Sequence, residues 1–246
     1  MTKAIIQAGG KGMRLRPYTT VLPKPLMPVA DRPILEIVLR QLAQSGFDRI
    51  TISLGHLGSL IEAVVGDGDA FGTKVSYVRE LEPLGTIGPV RLVEDVEDQF
   101  LVMNGDLLTD FDFQGFMDNH RASDALISVG VYNKPVPVSL GVFDMSAEGR
   151  VNGFTEKPTL YFRCSMGIYA FNRDVIELIP PNTRFGFDDL MKICLDRDIH
   201  VRAQIHDGLW LDIGRHEDYE QATEMLDKHR ELLLPGHEYL AIDFQT

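Results

Sequence analysis

Apolar positions along the chain fall into short runs that alternate with stretches of helical period. "KAIIQA", "RITISL", "KVSYV" and "FLVMN" read as successive strands, with a helix predicted in each interval between them. The first of these helices is the clearest. Asp31 stands where a cap is needed, Pro33 fits the first turn, Leu35, Val38, Leu39 and Leu42 recur on one face, and Gly46 can end it. Strands alternating with helices predict an α/β protein whose mostly parallel sheet is covered by helices. From about residue 125 the texture changes, and "ALISVGVY", "LGVFDM", "VNGFT" and "SMGIYAF" follow one another with little helix between. They predict further strands, some antiparallel, extending the same sheet. A helical stretch is expected from about Arg215 to Leu233, and a loop after "LLLPGHEYL". With no internal repeat, low-complexity tract or linker, residues 1–246 are expected to form a single domain.

At 246 residues and 44% hydrophobic, the chain can bury a sizeable core. No apolar run approaches the roughly 20 residues of a membrane span, and "MTKAIIQAGG" lacks the features of a signal peptide, so the cytoplasm is the expected compartment. Cys164 and Cys194 match no metal spacing and are expected to be reduced thiols. The net charge of −12 argues against a nucleic-acid or membrane surface, both polyanionic. Its distribution says more. Residues 1–32 hold six of the 24 Lys and Arg but one of the 36 acids, so they carry +5 against −17 for the rest. A small positive island in an acidic protein suits a compact anionic ligand.

That island contains "QAGGKGMRLRP", Gln7 to Pro17, between the first strand and a long helix. In an open α/β sheet this places it at the carboxyl ends of the strands, where ligands bind. Its glycines let backbone N–H groups approach phosphate oxygens. It is neither G-x-x-x-x-G-K-[ST] nor G-x-G-x-x-G, so a P-loop ATPase or a nicotinamide-binding fold has no support. Further on, Lys24 lies between Pro23 and Pro25, which stiffen the backbone and lower the entropic cost of presenting an ammonium at one place.

With its continuation "LRPYTTVLPKPLMPV", the chain resembles the sugar-1-phosphate nucleotidyltransferases, whose signature is G-G-x-G-T-R-L-x-P-x-T followed by P-K-P-L-x-P-V. Later pieces recur in order: "EPLGTIGPV", "FLVMNGDLL", "GFTEKP", "SMGIYAFN" and "WLDIGRHEDY". The resemblance implies a Rossmann-like fold, a three-layer α/β/α arrangement with a mixed, mostly parallel sheet. It also implies a reaction joining a nucleoside triphosphate to a sugar 1-phosphate, with release of pyrophosphate. Attacker, target and leaving group are all anionic there, so catalysis is mainly positioning and charge neutralisation. Arg14 offers a planar fork to the leaving pyrophosphate, and Gln7, Ala8, Gly9, Gly10, Lys11, Gly12 and Met13 form the rest of the nucleotide-binding loop. Lys24 is expected to neutralise charge at the α-phosphate. Asp106 and Asp212, held at strand ends, form a hard-oxygen site for Mg²⁺. Asp110 and Asp112 read as a turn residue and a helix cap. On the sugar side the resemblance implies that Glu156 accepts hydroxyl hydrogen bonds, Lys157 pairs with the sugar phosphate, and Gly141, Ser165 and Gly167 line the pocket. Glu156 and Lys157 are adjacent, so both reach one ligand only if the strand bends, as Pro158 allows.

For the base, a carboxylate can accept two hydrogen bonds from guanine's ring N–H and amino group, whereas thymine and uracil offer one ring N–H. Glu80, with Glu82 next in line and Gly85 and Thr86 following, falls where the family reads the base. The motifs look most like the mannose-1-phosphate guanylyltransferase branch, which favours GTP. A thymidylyl- or uridylyltransferase acting on glucose-type sugars stays open, as does a non-catalytic subunit sensing nucleotide sugars. A glycosyltransferase would show D-x-D, which "DFD" at 110–112 formally fits. Met13 and Gln7 replace the family's usual threonine and leucine, and "CSMG" stands where the guanylyltransferase branch has "NAG". These departures leave mannose, a heptose or another sugar open. No hexapeptide period of a C-terminal β-helix is present. The partners implied are the two small substrates, with a homo-oligomer open.

Overall fold

A computed structural model of the protein describes residues 2–237, and the loop expected for 241–246 lies outside the described residues. The chain runs through β1 (Thr2–Ala8), two short paired strands β2 (Pro28–Val29) and β3 (Arg32–Pro33), α1 (Ile34–Gln44), β4 (Phe47–Leu54), α2 (Gly58–Val65), β5 (Lys74–Arg79) and β6 (Gln99–Asn104). It continues through β7 (Leu107–Thr109), α3 (Phe113–Arg121), β8 (Ile127–Pro137), β9 (Val142–Met145), β10 (Val151–Thr155) and β11 (Thr159–Asn172). It closes with α4 (Phe187–Asp196), β12 (Val201–His206), β13 (Trp210–Asp212), α5 (His216–Lys228) and α6 (Arg230–Leu233). Seven strands form the central sheet in the order β12-β8-β11-β6-β1-β4-β5. β11 runs antiparallel to both its neighbours and the other pairs are parallel, which is the mixed, mostly parallel sheet expected.

Alternation along β1 sends Ala4, Ile6 and Ala8 to one face and Ile5 to the other. The first face packs on α1, α2, α3, α5 and α6, and the second on α4 and the single-turn helices at Gly88–Leu92 and Arg173–Leu178. Three layers result. Cys194 is buried in the second core and Cys164 is half-buried, both as free thiols. Among the described residues no helix is long and apolar enough to cross a membrane.

The structure corrects three expectations. The interval between β5 and β6 holds only the short 3-10 helix Gly88–Leu92, because Gly85, Gly88 and Pro89 interrupt the helical pattern there. Asp31 does not cap α1: Pro33 takes the cap position without a side-chain bond, and Asp31 is drawn into an ion pair with Arg230. β9 and β10 pair only with each other, as a hairpin apart from the main sheet. Gly46 does stand just past α1, at φ 84°, in the left-handed conformation a helix ending favours.

α1 is tied to the rest of its layer by Gln41, whose Nε2 donates to Thr109 O at 2.8 Å and to Leu233 O at 2.7 Å. Both bonds are buried and join segments far apart in sequence. Replacing Gln41 by Met keeps the volume and leaves both carbonyls without a partner. The variant is expected to lose about 1–3 kcal/mol of stability, measured by urea denaturation.

Candidate functional site

β1 delivers the chain to the carboxyl edge of the sheet, and the glycine-rich loop begins where packing allows no side chain. A Cβ on Gly9 would lie 2.2 Å from Glu80 Oε1, and one on Gly55 would lie 2.5 Å from Gly9 O. Gly10 has open space at that position, and Gly10, Lys11, Met13 and Arg14 are exposed, so this arc of the loop faces outward. Gly12 sits at φ 58°, and its carbonyl accepts from Thr19 Oγ1 at 2.7 Å and Leu15 N at 2.9 Å. Thr19 thus supplies a hydroxyl that fixes the loop, while Met13 points its side chain outward.

Behind the loop, Lys24 begins a short 3-10 turn after Pro23. Its side chain is only 12% exposed, and Nζ donates to Asp106 Oδ2 and stands 3.6 Å from Asp212 Oδ1. Lys24 is expected to neutralise charge at the α-phosphate; in the structure its ammonium lies between the two acids. Asp106 lies two residues beyond β6 rather than within it, and Asp212 ends β13. The short antiparallel pairing of β13 with β7 places Asp212 opposite Leu107, and Ile213 N donates to Asp106 O at 3.2 Å. Strand pairing therefore brings together two acids 106 positions apart. Burial, and then the neighbouring Asp106 charge, push the Asp212 carboxyl above its ordinary range, against the pull of Lys24 and Arg14. Asp106 Oδ1 is buried and accepts no hydrogen bond among the described residues.

Asp110 and Asp112 are committed to the fold. Asp112 caps α3 by accepting from Gly115 N at 2.9 Å, and Asp110 accepts from Leu209 N at 2.7 Å and lies 2.9 Å from His206 Nε2.

On the base side, Gln7 of β1 pairs with Ser53 of β4 and Asn104 of β6, forming a polar row on one face of the sheet. Ser53 Oγ donates to Glu80 Oε1 at 3.3 Å, and Leu84 N donates to Oε2 at 2.8 Å. Both oxygens of Glu80 thus accept from the protein, each with a lone pair to spare, and burial raises the carboxyl's pKa. Gln7 Nε2 is buried and makes no hydrogen bond among the described residues. Glu82 is exposed in the next loop. Gly85 takes φ 84° and packs so closely on Phe185 that a Cβ would lie 2.7 Å from its carbonyl oxygen. Thr86 Oγ1 accepts from Phe187 N at 3.0 Å. These two residues fasten the loop to the start of α4.

The sugar-side residues divide. β11 bulges between Ser165 and Tyr169, and there Gly167, at φ 74°, lies against Asn104 while Met166 O accepts from Trp210 Nε1 at 3.1 Å. Ser165 and Gly167 are thereby brought to the end of β6. Gly141, Glu156 and Lys157 form their own cluster on the β9–β10 arm, where a Cβ on Gly141 would lie 3.1 Å from Glu156 Oε2. The bend there comes from Lys157 itself, at φ 46°, rather than from Pro158. Among the described residues, no hydrogen bond or ion pair joins this cluster to Asp106 or Asp212.

A cavity of about 440 Å³ opens beside the acid pair, lined by Arg14, Asp212, Tyr132, Lys134, Trp210 and Arg215 among others. A wider depression of about 950 Å³ lies at the opposite end of β6, around Glu97, Arg121 and Arg173, away from this chemistry. Tyr132 and Lys134 carried no functional signal in the sequence, whereas Arg215 lies within "WLDIGRHEDY". Trp210, the single tryptophan, is two residues from Asp212 and so on its side of β13. Gly167→Ala meets both a left-handed backbone and Asn104 Nδ2 at 2.5 Å. It is expected to lower stability by about 1–3 kcal/mol, read as a fall in the thermal unfolding midpoint.

Comparison with known proteins gives the family and the fold. The family model described as nucleotidyl transferase matches residues 3–229. The chain is 34% identical over 242 residues to a UTP–glucose-1-phosphate uridylyltransferase of Synechocystis, covering 89% of this chain and 62% of that protein. It is 32% identical over 228 residues to a mannose-1-phosphate guanylyltransferase of Mycobacterium tuberculosis, covering 89% and 63%. The chain thus spans just under two thirds of the length of these relatives. HddC from Yersinia pseudotuberculosis, solved in complex with GMP-PN, superposes with a TM-score of 0.68 at 26% identity, covering 92% of this chain and 100% of that one.

Proposed function

The chain belongs to the nucleotidyl transferase family, and from that premise we propose that it transfers a nucleotidyl group from a nucleoside triphosphate to a sugar 1-phosphate, releasing pyrophosphate. The observation that carries this reading is the Lys24-bridged pair Asp106 and Asp212 beside the Gly9–Arg14 loop. A sugar-phosphate oxygen attacks the α-phosphorus, and no protein nucleophile is required. The outward arc of the loop offers backbone N–H groups to the β- and γ-phosphates. Arg14, exposed beside Gly214 and the cavity, offers its guanidinium fork to the same oxygens. Holding both reactants in line supplies orientation, and the cations offset the charge that accumulates on the leaving group.

The acid pair fits Mg²⁺: both ligands are hard oxygens, and Asp106 Oδ1 is buried with no partner among the described residues. Mg²⁺ takes few protein ligands, keeps several waters and binds substrate phosphates, so two carboxylates suffice to hold it. When bound, such an ion supplies charge neutralisation across the phosphates of both substrates. Glu156, Lys157, Gly141, Ser165 and Gly167 are proposed to hold the sugar 1-phosphate.

GTP is the proposed nucleotide. Glu80 supports it, because its spare lone pairs can accept from guanine's ring N–H and amino group. The similarity to a uridylyltransferase favours UTP as the competitor.

Asp106→Asn and Asp212→Asn are each expected to lower kcat by at least about 100-fold with an unchanged far-ultraviolet circular dichroism spectrum. Pyrophosphate release from a panel of nucleotides and sugar 1-phosphates reads this, and near-wild-type turnover in either variant would sink the assignment. On the same panel Glu80→Gln is expected to narrow the preference for GTP over UTP. An unaltered ratio assigns base selection to other residues.

A further inference from the structure

The position of Lys24 has a meaning beyond the transfer reaction, resting on the metal site proposed above. Its ammonium lies between the two carboxylates, bonded to Asp106 and 3.6 Å from Asp212. It is held there by a stiff backbone, since Pro23 and Pro25 flank it and its side chain is 12% exposed. Arg14 is the other cation acting on Asp212. One ammonium thus lies against two carboxylates, bonded to Asp106 Oδ2, while Asp106 Oδ1 has no partner among the described residues.

We propose that Lys24 is a built-in counter-ion that keeps the acid pair closed to a free divalent cation and opens it to a metal–nucleotide complex. A bare divalent ion entering beside Lys24 would have to displace the ammonium from a sheltered ion pair with nothing offered in return. A metal–triphosphate complex carries about −2 at neutral pH once the four phosphate charges are counted. It brings the cation for the carboxylates together with anionic oxygens for Lys24 and Arg14, so the displaced ammonium gains a new anionic partner. Metal entry is therefore coupled to nucleotide entry by a lysine that changes partners.

The test uses Mn²⁺ alone as probe, with free ion followed by electron paramagnetic resonance, on the full chain without nucleotide. The wild-type protein is expected to bind Mn²⁺ weakly, and Lys24→Met at least about tenfold more tightly because its acid pair has lost its counter-ion. Asp106→Asn in the Lys24→Met background should remove the gain. Thermal unfolding gives an independent readout: Lys24→Met should melt below wild type without metal and recover with Mn²⁺, whereas wild type should shift little. Should Lys24→Met fail to fold without metal, Lys24→Gln repeats the comparison, and folding of either variant only with Mn²⁺ supports the proposal. Tight Mn²⁺ binding by wild type without nucleotide overturns it, as does a Lys24 variant that binds no more tightly than wild type. Failure of the underlying reading looks different: wild type would then bind no Mn²⁺ through Asp106 even with GTP present.

Discussion

Two carboxylates held side by side at the edge of a sheet repel one another, and most of what is distinctive about this fold follows from how that repulsion is answered. Two like unit charges about 5 Å apart in partly buried surroundings cost about 3 kcal/mol, enough to drive the loops apart unless a cation intervenes. Lys24 intervenes, and it can do so only because the chain from Gly12 to Met27 is pinned. Thr19 and Leu15 hold the Gly12 carbonyl, and Leu26 and Met27 close the turn by donating to Pro23 O and Lys24 O. The acid pair in turn depends on the three-residue ribbon of β7 and β13, which carries Asp212 across to Asp106. The phosphate loop, the ribbon and the lysine are thus one electrostatic unit assembled from three distant parts of the chain.

The base side obeys a different constraint. There the sheet exposes a polar row at its carboxyl end, and Glu80 is held by Ser53 and Leu84 against the backbone of Gly9. Because a Cβ at Gly9 would collide with that carboxylate, the glycine that opens the phosphate loop is also what lets the base-side acid approach. One residue without a side chain couples the two subsites. Gly85 works similarly at longer range, lying on Phe185 so that the loop from Glu80 to Gly88 is braced by α4.

Much of this was legible in the sequence, and the division follows from what a linear pattern encodes. The central strands and α1 were legible because burial on one face imposes a period. The glycine-rich loop and the two aspartates, proposed to hold phosphates and metal, stood out because their residue types are chemically particular and stand at or just beyond strand ends. The ion pairs of Lys24 with Asp106 and Asp212 were not legible, since proline neighbours predict stiffness but say nothing of direction. The role of Thr19 was hidden because a hydroxyl seven residues from its carbonyl partner has no spacing signature. The hairpin of β9 and β10 looked like part of the main sheet because strand propensity does not name a pairing partner. The missing helix before β6 shows the same limit, with Gly85, Gly88 and Pro89 outweighing the apolar pattern around them.

The two halves of the proposed reaction rest on supports of unequal rigidity. The nucleotide side is built on the central sheet, where Ala4, Ile5, Ile6, Leu101 and Val102 are fully buried. Three of the proposed sugar residues, Gly141, Glu156 and Lys157, stand on an arm whose Leu140, Phe143, Met145, Val151 and Phe154 are all more than half exposed. A two-stranded hairpin with so little buried apolar area has a small reserve of stability of its own. Ser165 and Gly167 lie between the two supports, on the strand β11 that runs from the arm into the sheet. The bulge there, with Gly167 set on Asn104 and Met166 held by Trp210, is the joint through which the arm's position relative to the acid pair is fixed. Side chains at this joint, where "CSMG" stands, are therefore proposed to act on sugar placement without touching the phosphate chemistry.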